Sequence, residues 1–146
     1  MKRIKILLFT LTLFMLLTAQ TCKKDNTENC HYRIEFINNS NKTVYIGCTW
    51  PIYYEQGFPS PLHQKNSGLV MPHSTNSSGL WSRSCIEYDF TDTQLSTDKI
   101  LVFVIDKDIL KTTDWDVIRQ ERIFLKEYSL SLADLQALNW KITYSE

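Results

Sequence analysis

Two stretches of strict alternation constrain the fold more than any other feature of this chain. Tyr32, Ile34 and Phe36 alternate with His31, Arg33 and Glu35, and Val44, Ile46 and Cys48 alternate with Thr43, Tyr45 and Gly47. Neighbours on a strand point to opposite faces, so period two marks strands with one buried face. Between them lies Asn38-Asn39-Ser40-Asn41-Lys42, whose residues tolerate left-handed backbone and form Asx turns. Closed as a hairpin, this segment sets Phe36 opposite Val44, Ile34 opposite Ile46 and Tyr32 opposite Cys48. The apolar side chains then share one face, so the register is self-consistent.

The rest of the chain adds short elements of the same kind. Residues 99–105 (KILVFVI) are continuously apolar and rich in β-branched side chains, which suits a central strand covered on both faces. Gly68 to Met71 reads as a short strand stopped by Pro72. Residues 73–79 (HSTNSSG) read as turn material, and Leu80-Trp81 and residues 85–90 as short strands. Asp106-Lys107-Asp108 turns the chain. Thr113 or Asp114 can cap a short helix that carries Trp115 and Ile118 on one face. Residues 122–128 read as a returning strand. Ser131 and Asp134 fit a capping box opening a helix with Leu132, Leu135 and Leu138. Trp140, Ile142 and Tyr144 alternate in a last strand. About six to eight short strands joined mostly by turns predict a mainly β protein. The expected architecture is a two-sheet β-sandwich, immunoglobulin-like, with one or two short helical insertions. Tyr32, Phe103, Trp115 and Trp140 are expected in its core.

The amino-terminal segment bears on location. Lys2, Arg3 and Lys5 precede an apolar run over residues 6–17 (ILLFTLTLFMLL), and Thr18-Ala19-Gln20-Thr21 leads to Cys22 and the polar Lys23-Lys24-Asp25-Asn26. The run falls short of the ~20 residues a spanning helix needs, and its flanks match an export signal. The segment resembles a bacterial lipoprotein precursor. Ala19 and Thr21 stand where that family's usual box has Leu and a small residue, a looser form similar to that of Bacteroidota-type envelope lipoproteins. Residues 99–144 resemble the carboxyl-terminal part of small lipoproteins of that group, of uncharacterised function, through Trp115-Asp116, residues 123–128 and residues 135–140. The resemblance implies a signal peptide over 1–21 and acylation of Cys22 as the first mature residue. It also implies an outer-membrane location, facing the periplasm or the outside. Residues 22–29 then form a tether, and residues 30–146 a single domain. An ordinary secretory signal cut before a structural Cys22 is the alternative reading of the same residues.

Composition narrows the partners. Lys2, Arg3 and Lys5 are the only charged residues in 1–21, so residues 22–146 keep 13 of 16 basic residues against all 16 acidic ones, a net charge of −3. No basic stripe exists, and nucleic acid is not an expected partner. With Cys22 acylated, Cys30, Cys48 and Cys85 remain in an oxidising compartment, where one bridge is expected. Spacing does not determine connectivity; Cys48 with Cys85 is the expected pair.

Little in the sequence points to chemistry. Asp106, Asp108, Asp114 and Asp116 lack the EF-hand pattern, since the sixth and twelfth positions counted from Asp106 are Lys111 and Val117. They read as turn and helix-start residues. His31, His63 and His73 form no zinc-type spacing with the cysteines. The sequence contains no GxSxG, P-loop or GxGxxG pattern. No metal, cofactor or enzymatic activity is expected, with a small hydrolase using the 50–67 segment kept as an alternative.

The strongest candidate site is aromatic. Residues 50–67 hold three of the four prolines and show no period, which predicts a long loop. It carries Trp50, Tyr53, Tyr54 and Phe58, which Trp81 can join. Such rings offer large contact area for few torsions and favour recognition surfaces. The competing expectation is that they fold inward and seal one end of the sandwich. The predicted role is a membrane-anchored, non-enzymatic interaction or accessory module with an unidentified protein or glycan partner. A glycan-binding module using the aromatic loop is the alternative within that class.

Overall fold

A computed structural model describes residues 30–60, 68–92 and 98–146. Cys22, the expected signal peptide and tether, and residues 61–67 of the expected loop lie outside the described residues. The two alternating segments form β1 (Glu35–Asn38) and β2 (Val44–Thr49), but these strands do not pair with each other. Later strands are β3 (Leu69–Val70), β4 (Ser74–Asn76), β5 (Lys99–Asp106), β6 (Lys126–Ser131) and β7 (Lys141–Tyr144). One sheet has the order β4-β1-β7 and the other β3-β2-β5-β6. β1 runs antiparallel to β4 and parallel to β7. The protein is mainly β, a two-sheet sandwich.

The expected hairpin is therefore an arch that carries the chain from one sheet to the other. Period two cannot tell the two apart. In a hairpin the apolar faces lie side by side, and in an arch they meet across the core. Here Ile34, just before β1, and Phe36, Ile142 and Tyr144 from one sheet pack in one buried cluster with Val44, Ile46, Val102 and Val104 from the other. Asn38 holds the arch. Its fully buried side chain accepts from Ser40 N at 3.0 Å and from Ser40 Oγ at 2.7 Å. It donates to Lys42 O at 2.8 Å and to Met71 O, just past β3, at 3.0 Å. One amide thus joins the end of β1 to the opposite sheet.

β5 pairs with both β2 and β6 and is buried on both faces, as its unbroken apolar run predicts. Val102 and Val104 enter the core between the sheets, while Phe103 and Ile105 enter a second cluster with Phe58, Leu110 and Ile118. Gly47 makes this possible. A Cβ there would overlap the ring carbons of Phe103, so only hydrogen leaves room for the ring.

Five short helices occur among the described residues, more than the one or two expected. They are α1 (Pro51–Gln56), α2 (Ile86–Asp89), α3 (Lys107–Thr112), α4 (Trp115–Gln120) and α5 (Leu132–Ala137). Asp114 caps α4, and the Ser131–Asp134 capping box opens α5, both as predicted. The Ser131 hydroxyl and amide hold the Asp134 carboxyl below its ordinary range. Asp106 caps α3 in the same way, accepting from Asp108 N at 2.8 Å. Several segments differ from expectation. Residues 86–89 are helical where a strand was expected. Ser74–Asn76 forms β4 where a turn was expected, because the open edge of β1 supplies a partner. Trp81 makes only an isolated bridge with Arg33. Arg122 has a left-handed φ of 53°, so the returning strand starts later, at Lys126. Tyr32 lies beyond the paired end of β1 and is exposed, outside the core expected for it. No helix among the described residues is long and apolar enough to cross a membrane.

Candidate functional site

The sandwich is open at the end where β2 finishes and β1 and β5 begin. Cys48 and Thr49 end β2, Ile34 precedes β1, and Ile100 lies at the start of β5. With Leu80 and Ile86 they form the floor and sides of a cleft of about 230 Å³. Trp50, Tyr53, Trp81, Ser82 and Asp89 complete its lining. Three of the five aromatic residues expected at a site are thus brought together from two separate segments. Tyr53 and Trp81 are each 47% exposed, and Trp50 is half-buried with its ring edge-on to Phe90 at 4.9 Å.

The other two turn inward. The Tyr54 hydroxyl donates to Arg119 O at 2.5 Å, and Arg119 Nη1 donates back to Tyr54 O at 3.0 Å. Burial raises the Tyr54 phenol above its ordinary value, a push that the nearby Arg122 guanidinium opposes. Phe58 is 9% exposed and packs on Phe103 and Trp115, while its carbonyl accepts from Trp115 Nε1 at 2.9 Å. Both belong to the cluster under the outer face of β5. The local cause is α1: its helical turn sends Tyr53 toward the cleft and Tyr54 to the helical layer, and Gly57, at φ 86°, ends the helix and turns the chain back.

The wall carrying Trp81, Ser82 and Asp89 is fastened to the start of the domain. Cys30 is bonded to Cys85, with Cα atoms 5.4 Å apart. This corrects the expected Cys48–Cys85 pair and leaves Cys48 as a free cysteine. The reason is topological. Ile34 N donates to Leu80 O and Ser82 N to Tyr32 O, so residues 30–34 run beside 80–86, whereas Cys48 sits on the opposite sheet. His31 reinforces the seam. Its amide and Nδ1 meet the two Glu87 oxygens at 2.8 and 2.5 Å, and its ring stacks on Trp140 at 4.0 Å. Burial works against Glu87 ionising, but these hydrogen bonds outweigh it and hold the carboxyl below its ordinary range.

Sequence reasoning missed Asp89, Ser82 and Ser84. The Asp89 carboxylate accepts from Ser82 Oγ at 3.0 Å and from Ser84 Oγ at 2.6 Å. An extended 85–90 segment would have scattered these groups; the α2 turn gathers them. Cys48 faces the same cleft, and burial pushes its thiol up to about 11, so it stays protonated at neutral pH. Among the described residues, Cys30, Cys85 and Glu87 are the group whose ligand atoms are close enough to hold a metal ion, but the two sulfurs are bonded to each other. Asp106 and Asp114 serve as helix caps.

No protein-family model, curated protein or solved structure matches the chain.

Proposed function

We propose that this protein is an envelope lipoprotein, anchored through an acylated Cys22, whose sandwich is a non-enzymatic binding module with the cleft as its site. The observation that carries this reading is the convergence of Trp50, Tyr53 and Trp81 around one concavity whose polar side chains are Thr49, Ser82 and Asp89. Binding sites combine an apolar lining with a few placed polar groups in this way. Nucleophilic chemistry at Cys48 itself would need a thiolate, which burial, pushing that thiol up to about 11, disfavours at neutral pH.

The position of the cleft suits an anchored protein. Cys30, the first described residue, is bonded to the cleft wall through Cys85. Residues 23–29 separate it from Cys22, a reach of at most roughly 28 Å. The cleft therefore works near the bilayer surface. Two or more acyl chains give stable attachment where one gives a reversible one.

Two experiments test the two parts. Radiolabelled palmitate enters the protein in growing cells, and globomycin blocks its maturation; an unlabelled, freely diffusing product overturns the anchor. A fragment mixture of saccharides, alkylammonium salts and short apolar peptides shifts amide resonances in residues 49–53 and 80–89. No shift there with any fragment overturns the cleft as a binding site.

A further inference from the structure

We infer that the cleft takes one pyranose ring of a saccharide, a proposal that rests on the cleft being the binding site. The size sets the scale. About 230 Å³ is less than the ~300–1,000 Å³ of sites for drug-sized ligands, so the occupant is a single ring or a group of similar size. The lining sets the chemistry. Ile34, Leu80 and Ile86 are buried and apolar, while Ser82 and Asp89 form a polar edge. A pyranose has the same division, with C–H faces and hydroxyl edges. Trp81 and Tyr53, both half exposed, offer the aromatic surface such faces prefer.

The polar edge separates this class from an apolar occupant. An apolar side chain from a protein partner would leave the Asp89 carboxylate and the Ser82 hydroxyl desolvated and uncompensated, which is costly. A carboxylate has about four lone-pair sites, and the two serine hydroxyls occupy two of those on Asp89. The remaining sites accept from further hydroxyls, and Ser82 Oγ, which already accepts from Ser84 N at 3.3 Å, keeps one lone pair that accepts in turn. Both serine hydroxyl hydrogens are directed at Asp89, so this edge offers acceptors alone, and the two hydroxyls of a vicinal diol donate to it, one to the carboxylate and one to Ser82 Oγ.

The test uses the mature acylated protein in detergent micelles, titrated with soluble hexose and N-acetylhexosamine oligomers. The expected result is a saturable change in tryptophan emission, with amide shifts confined to residues 49–53 and 80–89. Asp89→Asn removes the charge-assisted acceptor at constant shape and weakens binding about tenfold or more. Trp81→Ala weakens it at least as much, and Val117→Ala, an exposed site on α4, leaves it unchanged. The amide shifts of the unmutated protein keep the test valid if a variant unfolds. Saccharides that bind elsewhere, or a cleft that answers only to alkylammonium or peptide, overturn this inference and leave the binding-module reading intact. A cleft silent to all three overturns both. Equal affinity for the free oligosaccharide and for vesicles carrying it as a glycolipid headgroup places the ring alone in the cleft. Binding to the vesicles alone, with no response to any free saccharide, overturns the inference.

Discussion

Replacing Asn38 with aspartate isolates the interaction that makes the β1–β2 connection an arch. The substitution is isosteric and changes one donor into an acceptor. In the native protein the Asn38 amide nitrogen donates to Lys42 O at 2.8 Å and Met71 O at 3.0 Å, with Val70 O a longer contact at 3.4 Å. In Asn38→Asp those carbonyls face a carboxylate. Two hydrogen bonds of ~1 kcal/mol each are lost, and each orphaned carbonyl adds ~1–3 kcal/mol, less where water reaches it. The sum is about 4 kcal/mol at pH 7, against a total of ~5–15 kcal/mol for a typical domain. In urea, with a slope of ~1.5 kcal/mol/M, the midpoint falls by roughly 2 to 3 M. The effect has a pH signature. Burial among carbonyls raises the pKa of the introduced carboxyl above its unfolded value of ~3.9. The penalty is therefore full above the folded pKa and shrinks as pH falls through it, because the protonated carboxyl donates again. Urea melts at pH 7 and pH 4.5 measure both. An Asn38→Asp variant within about 0.5 kcal/mol of wild type, or a gap that does not narrow on acidification, refutes the account. Asn38→Ala loses the same donors without the charge; its gap stays constant with pH.

Further consequences follow from the cleft wall. The Cys30–Cys85 bridge closes 55 residues of chain, and loop-closure entropy assigns it about 4 kcal/mol, or a melting temperature roughly 15 °C lower in Cys30→Ser/Cys85→Ser. Equal melting with and without a dithiol reductant would refute the pairing. Glu87 is held below its ordinary range, so its contribution is present above the unfolded carboxylate pKa and is lost as pH falls through the lower folded one. Glu87→Gln is accordingly less stable than wild type at pH 7, with a difference that closes in acid; a pH-independent difference counts against the His31–Glu87 clasp. With its thiol raised from 9.0 to about 11, Cys48 reacts with iodoacetamide roughly 100-fold more slowly in the native than in the unfolded protein. Equal rates would place the thiol outside the cleft wall.

The elements legible in the sequence are those whose signal is local. The 99–105 run is buried on both faces, and the Ser131–Asp134 box opens α5. Asp114 caps its helix, and Ile142 and Tyr144 fill the core from β7. Each rests on backbone geometry or periodicity spanning a few residues. The site was half legible. Trp50, Tyr53 and Trp81 reach the cleft, but Tyr54 and Phe58, equally aromatic and only residues away, do not. Composition marks a ring as useful surface without saying which side of a helical turn it occupies.

What the amino-acid sequence alone determined is the class: short half-buried strands, one doubly covered strand and capped helices that build a mainly β sandwich. What only the tertiary structure decided is which strands are partners, which cysteines meet and where the polar edge of the cleft lies. The physical reason is that alternation records the face on which a side chain is buried, and many pairings bury the same face. The choice falls to contacts between residues far apart in the chain, such as Asn38 with Met71 and Cys30 with Cys85.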